Sequence, residues 1–371
     1  MLAQPPAWLI IVAFVCAMGP LVFIHELGHY AVGRLFGVGA ETFSIGFGRE
    51  ITGWTDRTGT RWKVGWLPLG GYVRFVGDES HAGESDAPHE TDPRSFAGKP
   101  VWQRFLIVLA GPVANFLLAW VIFVAFFTLV GAPLTNVVGA VEKGSAAAAA
   151  GIQPGDQIVA IAGRPTPTFS DVFSTVVVRP DETVSVKIKR GDALAVFPVH
   201  LRKEMMDDPA GTKFERGILG VRPTTGVSEP VGIVEAVPLA ASFTIGMTRS
   251  IVDGIVQLVR GRISPKQLGG PIKIARVAGE GAAQGPLAFV SLLALLSINL
   301  GFINLLPVPI LDGGHLFFYA VEAVRRRPVS VQAQEWAFRG GLALLVALLF
   351  FTTVNDLGSF GVWERLGRLI G

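Results

Sequence analysis

Two histidines and a glutamate stand close together near the end of the first apolar stretch of this sequence. Residues 25–29 read His-Glu-Leu-Gly-His. Residues four positions apart fall about 40° apart around a helix, so His25 and His29 point from one face and can hold one zinc ion. Glu26 lies on the same turn, where it can accept a proton from water whose pKa the metal has lowered to about 7. The pattern predicts metal-dependent hydrolysis.

Catalytic zinc sites commonly use three protein ligands and leave a fourth position open, so this motif needs a third ligand. Our candidate is Asp312, within residues 304–315, which read Asn-Leu-Leu-Pro-Val-Pro-Ile-Leu-Asp-Gly-Gly-His. Two prolines interrupt an apolar stretch here, and non-helical backbone at membrane depth is tolerated only where it lines a cavity or is buried in protein. The alternative is an aspartate that merely ends a helix. The only cysteine, Cys16, lies in an apolar run, which leaves histidines and carboxylates as ligands.

The elements that position these residues must lie largely in lipid. Of the 371 residues 50% are apolar and 16% charged, and the mean hydropathy is +0.49. Four stretches are long enough to cross a hydrocarbon core of roughly 30 Å. They span 7–29, 105–131, 286–308 and 341–358. The formal net charge of +3, without basic runs interleaved with aromatics, predicts no nucleic-acid partner.

Lysine and arginine are concentrated between the first and second of these stretches and between the third and fourth, whereas residues 1–6 carry none. Loops rich in these residues stay in the cytoplasm. We therefore expect both termini and the long middle region, 132–285, to be extracytoplasmic.

The segments between the spans have distinct characters. Strand-like runs at 42–48, 61–67 and 72–76 predict a small β-sheet, and the polar, acidic run 77–94 predicts a mobile loop. Residues 134–204 alternate strand and helix patterns, and 144–158 resemble the PDZ domains of bacterial envelope proteases. Within the remaining segment, 205–285, residues 240–259 predict an amphipathic helix that lies along the bilayer surface.

The motifs at 25–29 and 304–314 together resemble the signature pair of the site-two protease family, in its bacterial branch. Further similarity lies at 68–73 (Pro-Leu-Gly-Gly-Tyr-Val), 110–116 (Ala-Gly-Pro-Val-Ala-Asn-Phe) and 269–275 (Gly-Gly-Pro-Ile-Lys-Ile-Ala). The resemblance implies a polytopic α-helical membrane protein with about four transmembrane helices, a membrane-associated β-sheet and one extracytoplasmic PDZ-like α/β domain.

This resemblance divides the chain into four parts. Residues 1–131 would contain the first two transmembrane helices and the sheet, at about 43–76. Residues 134–204 would form the PDZ-like domain, 205–285 a linker with the interfacial helix, and 286–371 the last two transmembrane helices. One departure is that enterobacterial relatives carry two PDZ domains, whereas here 217–221 (Gly-Ile-Leu-Gly-Val) is at most a remnant of a second.

The resemblance also implies roles for individual residues. His25, His29 and Asp312 would hold one Zn²⁺ per chain, Glu26 would be the catalytic base, and Asn304 would bind the substrate backbone or steady the reacting carbonyl. The sheet would bind substrate as an added strand, which is physically reasonable for a free sheet edge. The sheet residues we expect at this contact are Phe43, Ser44, Gly70, Gly71 and Tyr72.

The partners and the location follow from the same resemblance. We expect transmembrane protein substrates, such as anti-sigma factors already shortened by a first protease, or remnant signal peptides. The expected setting is the bacterial inner membrane, with a monomeric multi-pass chain and with both termini and the PDZ-like domain outside the cytoplasm.

Two alternative functions and the roles of two residues remain open. A transporter or metal-binding scaffold could use the same ligands structurally, although a structural zinc site is closed by four ligands and does not need Glu26. A tethered protease acting on external peptides is a second possibility, although its motif would lie in the outer domain. For two further residues the pattern does not decide: His315 is either a partner of Asp312 or a residue at a helix start, and Asn115 either contacts the active site or joins helices.

Overall fold

The computed structural model describes residues 5–77, 92–132, 135–207, 213–224, 230–261, 265 and 269–359. Most of the predicted loop 77–94 lies outside the described residues. The chain forms two compact units, one made of Met1–Ala119 with Ile272–Phe351 and the other of Trp120–Pro271 with Thr352–Gly371.

The first unit begins with helix α1 (Ala7–Leu35), which contains the first predicted span. Its buried residues recur mainly at every fourth position, as expected for one helix face against protein and the rest against lipid. They include Ala13, Ala17, Leu21, His25, His29 and Gly33. The two histidines therefore continue the buried stripe of the helix.

Strands β1 (Ala40–Thr55) and β2 (Arg61–Phe75) form the predicted sheet after α1. The first half of β1 lies between two segments of β2, because Ser44 is aligned with both Tyr72 and Lys63. Among the described strands, the segment 71–75 of β2 has a partner on one side only. Phe43 is 1% exposed and packs against Phe23 of α1, so the sheet is fixed to that helix. Helix α2 (Val101–Leu129) follows and contains the second predicted span.

An α/β domain occupies the second unit, as the alternating pattern predicted. Its elements are β3 (Val138–Val141), α3 (Ala146–Ala149), β4 (Gln157–Ile161), β5 (Arg164–Pro165), α4 (Phe169–Val177), β6 (Thr183–Arg190), β7 (Ala193–His200), β8 (Arg202–Asp207), β9 (Lys213–Ile218) and β10 (Val221–Pro223). One sheet has the order β5-β4-β6-β7, and the pairs β10-β3 and β8-β9 complete the domain. Val184, Val186 and Ile188 alternate inward along β6 and contribute to the core.

The expected end of this domain at residue 204 is wrong. Leu219 belongs to the buried core, and Val221 of β10 pairs with Val141 of β3. Residues 217–221 thus complete this domain and are not the remnant of a second one. The connecting strands β8 and β9 lack apolar alternation, and surface ion pairs such as that of Glu204 with Arg216 join them. Their sequence therefore gave no indication that they belong to this domain.

Helix α5 (Ile233–Val259) includes the predicted amphipathic helix but begins before residue 240. Its Asp253 is 3% exposed and forms ion pairs with Arg164 and Arg179 of the α/β domain. Part of the expected linker is therefore a helix packed on this domain.

The chain then forms α6 (Pro271–Ala283), α7 (Pro286–Asn304), α8 (Asp312–Arg325) and α9 (Val331–Ser359). α6 was not predicted, because its small residues give no apolar stretch; Ala278 packs against Ala13 and Ala17 of α1. By length and composition, five described helices could cross a membrane, namely the four expected ones and α5, which is the least apolar.

Candidate metal centre

Helix α1 places the two histidines of the motif together. The Nε2 atoms of His25 and His29 are 3.3 Å apart, and the two residues are 7% and 8% exposed. The two histidines lie together because buried residues recur every four positions along α1, so both rings extend from the protein-facing side of the helix.

Asp312 meets the histidines from the first residue of α8. Its Oδ2 lies 3.1 Å from His25 Nε2 and 3.4 Å from His29 Nε2. The structure brings the three predicted ligands together, with their potential metal-binding atoms all within 4.8 Å of one another. Their role as zinc ligands stays a prediction.

The loop 305–311 holds Asp312 in place by packing closely over the start of α8. A β-carbon at Gly313 would lie 2.5 Å from the carbonyl oxygen of Leu305, and one at Gly314 would lie 2.6 Å from that of Val308. Ile310 has φ 91°, a left-handed conformation that strains a β-branched residue. The glycine pair after Asp312 is therefore required for the loop to pass over this helix start.

The chemistry of the three groups fits a cation. His29 Nδ1 is 2.9 Å from the carbonyl oxygen of Ile107, which can only accept, so Nδ1 carries the hydrogen and Nε2 presents a lone pair. Asp312 Oδ2 is buried and accepts no hydrogen bond within the described residues. Acceptor atoms facing one another repel unless a cation lies between them. Tetrahedral zinc with bonds of about 2.0–2.1 Å separates its ligand atoms by about 3.3 Å, which matches the observed spacing.

Helix α2 closes the site on the side of His29. A β-carbon at Gly111 would lie 2.8 Å from His29 Cδ2 and closer still to Nε2. Only glycine allows α2 to approach the imidazole this closely. Gly111 thus packs against the Nε2 side of the His29 ring.

Glu26 lies at the edge of the sheet. It is 7% exposed, and a β-carbon at Gly71 would lie 3.1 Å from Glu26 Cγ. The single-partner segment 71–75 of β2 therefore passes directly beside the carboxylate-bearing side chain of the motif.

The other predicted substrate residues fall in different places. Gly70 and Tyr72 lie on the same segment as Gly71, and the Tyr72 ring stacks on Phe47 at 6.0 Å. Phe43 and Ser44 are 1% and 0% exposed, so their side chains cannot touch a substrate in this structure. They lie on the inner half of β1, where burial is a consequence of pairing on both sides.

Three further polar residues were candidates for a role at the site from the sequence. Asn304 ends α7 and is half-buried, and its substrate role stays a prediction. The His315 ring packs 5.1 Å from Phe338 and lies outside the three-residue ligand group. Asn115 Nδ2 lies 3.1 Å from His25 Nδ1, so this residue does reach the site.

Two buried histidines and a glutamate on a helix long and apolar enough to cross a membrane, with an aspartate facing the histidines, are the groups expected of a membrane zinc metalloprotease. Residues 13–348 match the model of Peptidase family M50, and the chain belongs to this family, the site-two proteases.

Bacterial relatives support the same class. A protein of Agrobacterium fabrum named as a zinc metalloprotease is 43% identical over 362 residues, covering 94% of this chain and 96% of the relative. One of Rhizobium meliloti with the same kind of name is 44% identical over 349 residues, covering 91% and 93%. Metalloprotease MmpA of Caulobacter vibrioides is 36% identical over 391 residues, covering 97% and 98%. The chain is thus a zinc metalloprotease of the membrane.

Proposed function

We propose that this protease cuts peptide bonds within membrane-spanning segments of other membrane proteins. His25, His29 and Asp312 hold one zinc ion per chain, and Glu26 is the general base. The observation that carries the proposal is that the ligand atoms converge on buried faces of α1 and α8, with two of the three ligands on a helix apolar enough to span a bilayer.

Zinc supplies Lewis-acid chemistry at this site and makes a water molecule acidic enough to react at neutral pH. Glu26 accepts the proton of the attacking water and then gives it to the leaving amine. Glu26 lies on the same helix as both histidines and beside the edge of the sheet. This position suits both proton transfers, because the scissile bond of a substrate bound at that edge would lie between the edge and the histidines.

A transmembrane helix protects its peptide bonds, since each carbonyl is hydrogen-bonded and water is scarce. The substrate must unwind locally, and its freed backbone groups need partners. The single-partner edge of β2 at 71–75 offers them by strand addition, with Gly71 beside Glu26. The main chain of Gly70, Gly71 and Tyr72 binds the substrate, and Phe43 and Ser44 support this edge from inside.

The α/β domain acts as a PDZ-like filter outside the cytoplasm that limits the size of the substrate ectodomain. The protein resides in the bacterial inner membrane as a monomer, and its substrates are remnant signal peptides or anti-sigma factors shortened by a first protease. The ion pairs of Asp253 support a position of α5 outside the hydrocarbon core, because three charged groups in lipid would be unfavourable. Four spans then leave both termini extracytoplasmic.

The decisive experiment compares Glu26→Gln with wild type on a remnant signal peptide in detergent. Glutamine keeps the shape but cannot take a proton, so zinc stays bound while the rate falls by about 10²–10⁴-fold. Glu204→Gln is the control, because Glu204 pairs with Arg216 on the surface of the α/β domain, outside the sheet formed by β1 and β2, and should leave the rate unchanged. Cleavage by Glu26→Gln at the wild-type rate would exclude Glu26 as the base.

A further inference from the structure

Asn115 on α2 is a buried polar residue that the proposed mechanism leaves unused. It is 0% exposed, and its amide lies 3.1 Å from His25 Nδ1. Its main-chain carbonyl accepts a hydrogen bond of 2.8 Å from the Ser297 hydroxyl of α7, and Ser297 is also 0% exposed. The residue is thus held between two helices while its side chain reaches a third.

The amide orientation follows from what His25 must do. His25 Nε2 faces Asp312 and His29, so a metal-binding His25 carries its hydrogen on Nδ1 and needs an acceptor there. Asn115 Oδ1 is buried and accepts no hydrogen bond from the described residues. The two ends of an amide have nearly the same shape, and hydrogen bonding decides which one faces a donor. Turning the amide by 180° gives the Nδ1 hydrogen its acceptor.

We propose that Asn115 is a positioning residue for His25. Its amide oxygen accepts the Nδ1 hydrogen, which keeps the imidazole in the tautomer whose Nε2 lone pair faces Asp312 and the metal. The inference rests on the proposed ligand role of His25.

Helix α2 then orients both histidines by different means. The main-chain carbonyl of Ile107 serves His29, and the side chain of Asn115 serves His25. Outer partners of metal-bound histidines are often carboxylates, which make the ligand more basic. A neutral amide supplies the acceptor without adding a third buried carboxylate to Glu26 and Asp312, which would be unfavourable at membrane depth.

The test measures metal affinity of the full chain in detergent, with no substrate present. Zinc affinity is read by competition with a chelator, and the visible absorption of the Co²⁺-loaded protein reports ligand geometry. Asn115→Leu should weaken zinc binding by about 10–100-fold and change the Co²⁺ spectrum, as loss of an outer partner does elsewhere. Asn115→Asp restores an acceptor and should restore the zinc affinity, while the added carboxylate should lower the unfolding temperature.

Ser297→Ala is the matched control for a purely structural role. It removes the buried hydrogen bond between α7 and α2 without touching His25, so zinc affinity and the Co²⁺ spectrum should not change. If Asn115→Leu does not fold, Asn115→Ala, which adds no bulk, is measured in its place.

Two results would overturn the inference. One is a folded Asn115 variant without an acceptor that binds zinc as tightly as wild type with an unchanged spectrum. The other is an equal loss of affinity in Ser297→Ala. His25→Ala separates this inference from the proposed function: if His25→Ala keeps full zinc affinity, the ligand assignment itself is wrong. If only Asn115 proves neutral, the ligand assignment stands.

Discussion

Replacing Gly111 by alanine adds one methyl group at the point where α2 meets the metal site. The new β-carbon would lie 2.8 Å from His29 Cδ2. The new β-carbon and His29 Cδ2 would have to move about 0.6 Å apart to reach an ordinary contact of 3.4 Å, and the β-carbon and His29 Nε2 would have to move further apart. Metal ligands tolerate distance errors of only about 0.2 Å, so His29 must leave its proposed ligand position or α2 must move away.

Both responses remove zinc binding, but they differ in their effect on stability. Forcing an extra methyl group into a packed interior costs about 1–3 kcal/mol, so Gly111→Ala should fold with a lowered unfolding temperature. We expect metal analysis of the purified variant to find far less than one zinc per chain, and no measurable cleavage of a remnant signal peptide.

Gly19→Ala is the control for this experiment. It makes the same substitution inside α1, where a β-carbon meets no atom within 4 Å. Zinc content and activity should therefore equal those of wild type. If Gly111→Ala binds zinc with wild-type affinity, the close contact between α2 and His29 does not exist as described, and the role of α2 at the site must be rejected.

Three further predictions concern the rest of the chain. Hydrogen bonds of 2.7 and 2.8 Å from the Arg190 guanidinium hold the pKa of Asp156 below its usual range. This pair therefore stabilises the α/β domain above about pH 4, and the stabilisation is lost as the pH falls through the lowered pKa of Asp156. Arg190→Gln should lower the unfolding temperature at pH 7 and not at strongly acidic pH; equal losses at both would contradict this. Reporters fused within 150–200 should behave as external and those within 80–90 as cytoplasmic, and opposite results would invert the topology. Replacing 135–223 by a flexible linker should preserve cleavage of a shortened substrate and permit cleavage of one with a bulky ectodomain, whereas loss of the first activity with zinc retained would indicate a docking role.

Local sequence patterns predicted the parts of this protein whose signal lies within a few residues. The motif at 25–29 needs only helical periodicity to place both histidines on one face, and the proline-rich loop before Asp312 stands out because it interrupts an apolar run. The strands of the sheet and the first elements of the α/β domain are likewise visible in their alternation.

What the sequence did not predict depends on contacts between distant segments. The last core strand of the α/β domain, β10, is three residues long and is recognised only by its pairing with β3. Helix α6 is packed through small residues such as Ala278, which carry little hydrophobic signal but allow close approach to α1. Neither feature leaves a periodic pattern in its own segment.

The contribution of α2 to the metal site shows the same limit most clearly. Ile107 acts through its carbonyl group, which every residue has, and Gly111 acts by having no side chain. Asn115 alone is distinctive, yet an asparagine in a span is as readily explained by contacts between helices. The helical register distinguishes the two explanations. Positions 107, 111 and 115 are spaced four residues apart, so all three lie on the face of α2 that packs against α1. One face of α2 thus supplies the acceptor for His29, the space for its ring and the side chain beside His25, so α2 can orient both proposed ligands of α1 without itself supplying a ligand.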